Sequence, residues 1–399
     1  MRAVFNSIVN FDLRSKLLRG NNQSKKFIYY ETTFYMEFGT VAPTFPPISD
    51  VQKTAKRLEE KGYDALWFAD HLMGWYPHDL WKETIFAMRY PSCHMFYDAF
   101  CEICYTAPAT RKIKFGVSVS EVIRRHPAVL LQQAVTANHA TEGRFILGLG
   151  AGEAENIIPY GLEFSKPVAR LEEALKLMRI MLNSDYGEKI NFVGKFYKLE
   201  DAVFDLKPIG KLPIWIGAHG DKMLRLTARF ADGWIPTTLP PEIYAEKAQK
   251  LEKFAKEENR DPAEIKKAIF LSVVIDEKKE EIEKLLKTPI LKIHALLLPS
   301  EFYEALGYKH PFGKFYGLLD YIPTKYSKDQ IMNAVKDVPD EVSKIAFVAG
   351  TKDEVVSELE KYEKIGVEHV VLWNLTYFGD VSKIKSSYAL LDEVIALFR

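Results

Sequence analysis

Short apolar runs alternate with amphipathic stretches along this chain. Extended runs are read at residues 38–42, 65–69, 113–119, 145–149, 213–218, 233–236, 269–275 and 369–373. Between them lie helical patterns at about 50–61, 126–139, 167–182, 222–230, 242–258 and 352–365, and a last helix closes the chain. Ser49 or Asp50 is expected to cap the first, Pro127 to open the second, and Thr351 to cap the helix at 352. Strands that alternate with helices make βαβ units and a parallel sheet. Eight such units in order are what a (β/α)8 barrel needs. The expectation is therefore an α/β fold, a single TIM barrel with insertions after strands two, four and seven. The insertions are an aromatic-rich excursion at 70–111, a small hairpin at 190–200, and a second aromatic stretch at 287–340, followed by a short extended run at 345–348.

In such barrels the chemistry sits at the carboxyl ends of the strands. Strand two ends in Asp70-His71, with Trp75 four residues further on. Strand three ends at Ser118-Val119, strand four at Gly152-Glu153, strand five at 217–220, strand six at Thr237-Thr238 and strand eight at Asn374. The glycines of 148–152 do not complete a G-x-G-x-x-G fingerprint, because residue 153 is Glu. They would let backbone approach a ligand, with Glu153 either presented at the lip or serving as a solvated cap. Residues 217–220 precede a helix, and are either a phosphate seat on its free N–H groups or an ordinary turn. The 70–111 excursion is either a helix on the outer ring or the wall of an apolar pocket.

Composition narrows the function classes. The net charge over 399 residues is zero, which argues against a nucleic-acid partner. Three cysteines build no disulfide framework, so a cytoplasmic, reducing location is expected. Cys101-x-x-Cys104 has no second pair, and reads as two thiols one turn apart on a helix. Nine scattered histidines without H-x-H or H-E-x-x-H disfavour zinc, so no metal is expected. There is no G-x-S-x-G elbow, and no run of transmembrane length. Residues 1–35 read as an extension, from an upstream start or as a loose arm, and 36–399 as the barrel domain.

Three stretches carry a resemblance. Residues 67–75, WFADHLMGW, are similar to a D-H-x-x-x-W motif. Residues 143–156 match a GR-x-x-LG-x-G-x-GE-x-x-N stretch, and 213–232, PIWIGAHGDKMLRLTARFAD, resemble a cofactor segment of methylenetetrahydromethanopterin reductases. On these motifs residues 36–397 resemble the bacterial-luciferase-like superfamily, in its coenzyme F420-dependent branch. Shorter pieces at 159–161, 166–170, 204–206, 310–313 and 322–324 are similar to a subgroup of phthiodiolone ketoreductases.

The resemblance implies roles for matching positions. His71 would exchange a proton with the substrate oxygen, Trp75 would flank the reacting centre, and Glu153 would be a second acid/base group. Asp70, Ala151, Gly152, Asn156, His219, Gly220, Lys222 and Met223 match cofactor contacts. Ser118-Val119 matches a non-proline cis peptide behind the cofactor ring, and Thr237 a substrate position. Two departures stand out: Glu121 replaces a cofactor-contacting Thr, and no Lys follows Thr237 within 238–241, which disfavours a sugar phosphate. The implied activity is hydride transfer between F420 and an apolar carbonyl or secondary alcohol, in a homodimer without membrane attachment. The alternatives are an FMN-dependent monooxygenase, a methylene-pterin reductase, and a cofactor-binding barrel without turnover.

Overall fold

The structure is a computed structural model that describes residues 35–399. The expected extension at 1–35 lies outside the described residues, apart from Tyr35. The barrel expected from the alternation is present. Its strands are β1 (Glu37–Val41), β2 (Ala65–Phe68), β3 (Lys114–Val117), β4 (Phe145–Leu149), β5 (Ile214–Ile216), β6 (Gly233–Trp234), β7 (Lys266–Ile275) and β8 (His369–Asn374). Each pairs in parallel with the next, and β8 returns to β1. An antiparallel hairpin, Ile190–Val193 with Lys198–Ala202, stands outside the barrel as expected.

The outer ring is α1 (Ser49–Glu60), α2 (Ala99–Thr106), α3 (Pro127–Ala140), α4 (Pro167–Asn183), α5 (Asp221–Phe230), α6 (Pro241–Glu257), α7 (Lys352–Lys364) and α8 (Ile384–Ala396). Pro127 opens α3, where its missing N–H costs nothing. The Asp98 carboxylate accepts from the backbone N–H groups of Phe100 and Cys101 and so starts α2. Two expectations are corrected. Helix α1 is not side-chain capped by Ser49 or Asp50. Its N-cap is Ile48, because the Asp50 N–H already donates to Pro47 O, which begins the helix one residue early. Asp50 instead sits in the first turn, where a carboxylate suits the helix dipole. The stretch 345–348 is not one extended run. Pro339 and two acidic residues start a helix, Asp340–Ile345, and the strand is Val348–Gly350, alongside the end of β7.

Two tryptophans fill the barrel interior. Trp67 and Trp215 lie 5.3 Å apart, and both meet the edge of His369. Their volume explains three strand glycines. A Cβ on Gly116 would stand 2.3 Å from the Trp67 ring, one on Gly39 2.7 Å from it, and one on Gly233 2.6 Å from Trp215. Trp67 Nε1 donates to His369 Nε2, so the other ring nitrogen carries the hydrogen toward Glu37, 3.1 Å away. Burial alone would raise the Glu37 pKa. His369, Lys114 and Lys266 overcome it and hold the carboxyl far below its usual range.

The two long insertions, far apart in sequence, share a second apolar core. Tyr76, Trp81 and Cys93 pack with Leu296, Tyr303 and Tyr321 from the segment after β7. The Tyr321 hydroxyl donates to Trp75 O at 2.8 Å and ties the insertions together. They form a cap over the carboxyl ends of the strands. Beneath it lies a cavity of about 1480 Å³, larger than a typical single-ligand pocket of ~300–1,000 Å³.

Candidate active site

Every site residue named from the sequence borders this one cavity, from Asp70, His71 and Trp75 on one side to His219, Lys222 and Thr237 on the other. The exception among the strand ends is Asn374. Its amide nitrogen donates to Ser387 Oγ and its oxygen accepts from the Thr376 N–H, so it faces α8. The alternation along β8 turns Trp373 to the cavity instead.

His71 is oriented by Asn156. The Asn156 side-chain oxygen accepts from the N–H groups of Leu72 and Met73, at 2.8 and 3.2 Å. That leaves its NH₂ group to face His71 Nδ1 at 3.1 Å and Glu155 Oε1 at 3.4 Å. The Met73 carbonyl oxygen also faces Nδ1, at 3.4 Å, but the nearer Asn156 donor assigns the imidazole hydrogen to Nε2. Nε2 lies 3.6 Å from Glu153 Oε2. Phe96 stacks on the ring at 5.5 Å, and Trp75 meets it edge-on at 6.1 Å.

Glu155 is the residue that sequence reasoning passed over. It is fully buried, with Oε1 3.9 Å from His71 Nδ1. Burial is the main cause that raises its pKa, and the neighbouring Glu153 carboxyl adds to it, so Glu155 holds its proton at neutral pH. Trp75 Nε1 lies beside Glu155 and pulls weakly the other way, but without the geometry of a hydrogen bond. Trp75 Nε1, Glu153 Oε2 and Glu155 Oε2 are all buried without a hydrogen-bond partner among the described residues. Unsatisfied groups of this kind are costly, and they cluster where a ligand completes them. His71, Glu153 and Glu155 keep their ligand atoms within 4.8 Å of one another. They combine an imidazole, one carboxyl at the cavity and one protonated carboxyl behind it.

Asp70 has a different environment. Ser120 Oγ donates to it at 2.6 Å, Arg124 at 2.9 Å and Arg125 at 2.7 Å. Burial would raise its pKa, but the two guanidinium groups lower it overall. Glu121 holds the Arg124 Nε at 2.6 Å and also accepts from the Ile123 and Arg124 N–H groups. The acid at the position of the missing Thr thus fixes Arg124 at the cavity edge.

The floor is built by Ser118-Val119, whose peptide bond is cis. A Cβ on Gly150 would stand 2.7 Å from Val119 Cγ2, so this glycine is required by the close approach. Opposite, α5 begins at Gly220 without a side-chain cap. The Lys247 Nζ donates to His219 O at 2.6 Å, and Thr237 Oγ1 lies 3.1 Å from His219 Nε2. His219 exposes its ring to the cavity yet sits deep in the protein, and desolvation lowers its pKa to about 4. A neutral ring, an uncapped helix start and Lys222 suit an anionic group such as a phosphate.

His294 is a second residue with no signal in the sequence, since it sits on a short apolar helix, Pro289–Leu296. It borders the cavity, with its Nε2 2.8 Å from the Tyr76 hydroxyl and its ring against Trp75 at 5.4 Å and Trp373 at 5.3 Å. Burial lowers its pKa to about 3, so it is a neutral wall.

The comparisons with known proteins agree with the barrel fold. Residues 36–369 match the family described as luciferase-like monooxygenase. The phthiodiolone/phenolphthiodiolone dimycocerosates ketoreductase of Mycobacterium tuberculosis is 34% identical over 339 residues, covering 82% of this chain and 88% of that protein. The 5,10-methylenetetrahydromethanopterin reductase of Archaeoglobus fulgidus is 24% identical over 336 residues, covering 84% and 92%. Among solved structures, an F420-dependent secondary alcohol dehydrogenase in complex with an F420-acetone adduct shares the fold, with a TM-score of 0.71 and 22% identity over 92% of this chain and 99% of that one.

Proposed function

The chain belongs to the luciferase-like monooxygenase family, and from that membership we propose that it is an F420-dependent oxidoreductase acting on an apolar carbonyl or secondary alcohol. The observation that carries this reading is the cluster of His71, Glu153 and Trp75 at one cavity wall, with His71 Nε2 3.6 Å from Glu153 Oε2 and the Trp75 ring edge-on to the imidazole. The relatives named for ketone reduction, for pterin reduction and for F420-dependent alcohol oxidation support it.

The residues present fit a ring-bearing, phosphate-tailed cofactor. Val119, Gly150 and Gly152 would lie against the ring, and the start of α5 with Lys222 would take the phosphate. When bound, the deazaflavin supplies or accepts a hydride. Asn156 sets the His71 tautomer, so Nε2–H points toward the substrate oxygen. In carbonyl reduction that hydrogen passes to the oxygen as negative charge builds there, and the Asn156 NH₂ group, donating to Nδ1, steadies the ring that gave it up. In alcohol oxidation the same groups run in reverse. The Trp75 ring, edge-on to His71 at 6.1 Å, closes the cavity wall beside it. The aromatic cap excludes water and holds the reacting carbon.

The test is anaerobic turnover of reduced and oxidised F420 with a panel of ketones and secondary alcohols. Oxygen uptake with reduced FMN, and none of this turnover, would overturn the reading in favour of a monooxygenase. Turnover confined to a methylene-pterin would overturn the substrate class.

A further inference from the structure

The cavity does not stop at His71. It continues between α1, the stretch near residue 85 and the start of α8. A run of aromatic rings lines this branch. Phe45 lies 6.3 Å from Phe96, the ring that stacks on His71. Trp81 follows at 5.7 Å from Phe45, and Phe86 at 5.7 Å from Trp81. Tyr377 lies 6.3 Å from Phe86, and Tyr388 6.2 Å from Tyr377. At the far end Ile85, Val381 and Ile384 border the cavity, yet expose 58%, 37% and 42% of their surface. Apolar side chains exposed around an opening mark a site for an apolar ligand.

The rim there is basic. Lys53, Arg57, Arg89 and Lys385 all border it, with Asp50 as the acid among them. Asp50 is shared between Lys53 at 3.1 Å and Arg89 at 3.2 Å. Arg57 is held by Asp392 at 2.7 Å, with its guanidinium 5.8 Å over the Tyr388 ring. Cationic charge therefore exceeds anionic charge where the aromatic shaft ends. This rim belongs to α1 and α8, which follow β1 and β8, and at Arg89 to the insertion after β2. The seat suited to a cofactor phosphate is at α5, after β5. The two basic ends are separate parts of one cavity.

We propose that this branch binds the aliphatic chain of the substrate, and that the rim of Lys53, Arg89 and Lys385 holds an anionic group at the chain's far end. The substrate class is then a long-chain ketone or secondary alcohol with a terminal carboxylate or phosphate. The proposal rests on the reading that the reacting carbon lies at His71.

Binding tests it separately from turnover. The full-length protein is loaded with the fluorescent probe 11-(dansylamino)undecanoate, which is displaced by butan-2-one, dodecan-2-one or 11-oxododecanoate. Affinity is expected to climb with chain length, by up to roughly fourfold per buried methylene. The carboxylated ketone is expected to bind about fivefold tighter than the neutral one. The double variant Lys53→Glu, Arg89→Glu should erase that difference, while leaving dodecan-2-one binding and the turnover of propan-2-ol unchanged. Lys385→Glu, on another helix, repeats the test should the double variant fold poorly. Val381→Trp should weaken both long ketones and spare propan-2-ol. Equal affinity for butan-2-one and dodecan-2-one overturns the channel. Equal affinity for the two long ketones, unaltered in the charge variants, overturns the anionic rim. Length-dependent binding of the carboxylated ketone without F420-linked turnover upholds the channel and counts against the reaction proposed at His71.

Discussion

His71 is placed by a partner whose own orientation is fixed. Two backbone N–H groups claim the Asn156 oxygen, so its NH₂ faces His71 Nδ1. Replacing His71 by Asn should lower kcat by about 10²–10⁴-fold, the usual worth of a positioned acid/base group. Fluorescence titration should find F420 affinity within a few-fold of wild type; a matching loss of binding would make His71 a cofactor ligand instead. His71 and Trp75 were legible because they close an apolar run on a recognisable motif. Glu155 was not. In the sequence it is one of two carboxyls in Glu153-Ala154-Glu155, and such pairs usually face solvent; only the fold buries it. Its raised pKa has a sign that can be measured. Above the ordinary carboxyl value of 4.5, the folded protein keeps a proton that the unfolded chain has released. Stability is therefore lost as pH rises from there toward the folded-state value. From pH 5 to pH 8, urea unfolding should show the wild type losing more, or gaining less, stability than Glu155→Gln.

At the scale of elements, the strand and helix periods were readable because β2, β4 and β5 are buried throughout, while the ring helices are buried on one face. What a linear pattern does not carry is which side chain fills the barrel. Glycines at 39, 116 and 233 look like weak strand positions, yet each is the space that an indole occupies. Gly116→Ala should push a methyl group into the Trp67 ring and cost about 1–3 kcal/mol, read as a lower urea midpoint with an unchanged slope. The ends of elements were less legible. The Asp50 N–H to Pro47 O bond moves the start of α1, and Pro339 with its acidic followers turns an apparent strand into a helix.

At the scale of the molecule, the cap is the part that sequence reading left open. The 70–111 excursion turns out to be both things considered: Phe100 packs on the outer ring through α2, while Trp75, Trp81 and Phe96 wall the cavity. Its union with the segment after β7 is a contact between residues more than two hundred positions apart, which periodicity cannot reveal. His294, inside that union, gives the cap an acid sensitivity. Its pKa is about 3 when folded against an ordinary 6.5, so the unfolded chain binds more protons between those values. Stability should fall as pH drops through 6.5 toward 3. This effect opposes that of Glu155, so it is read against the variant: between pH 7 and pH 5 thermal unfolding should show the wild type losing more, or gaining less, stability than His294→Gln.

On the proposed reading, the cluster around His71 serves a deazaflavin rather than an oxygen-activating flavin. The most direct measurement follows the absorbance of oxidised F420 mixed anaerobically with the purified protein and a long-chain secondary alcohol. The deazaflavin absorbance should fall in step with ketone formation, and should not fall with His71→Asn. No change with F420, alongside oxygen consumption on addition of reduced FMN, would contradict this reading.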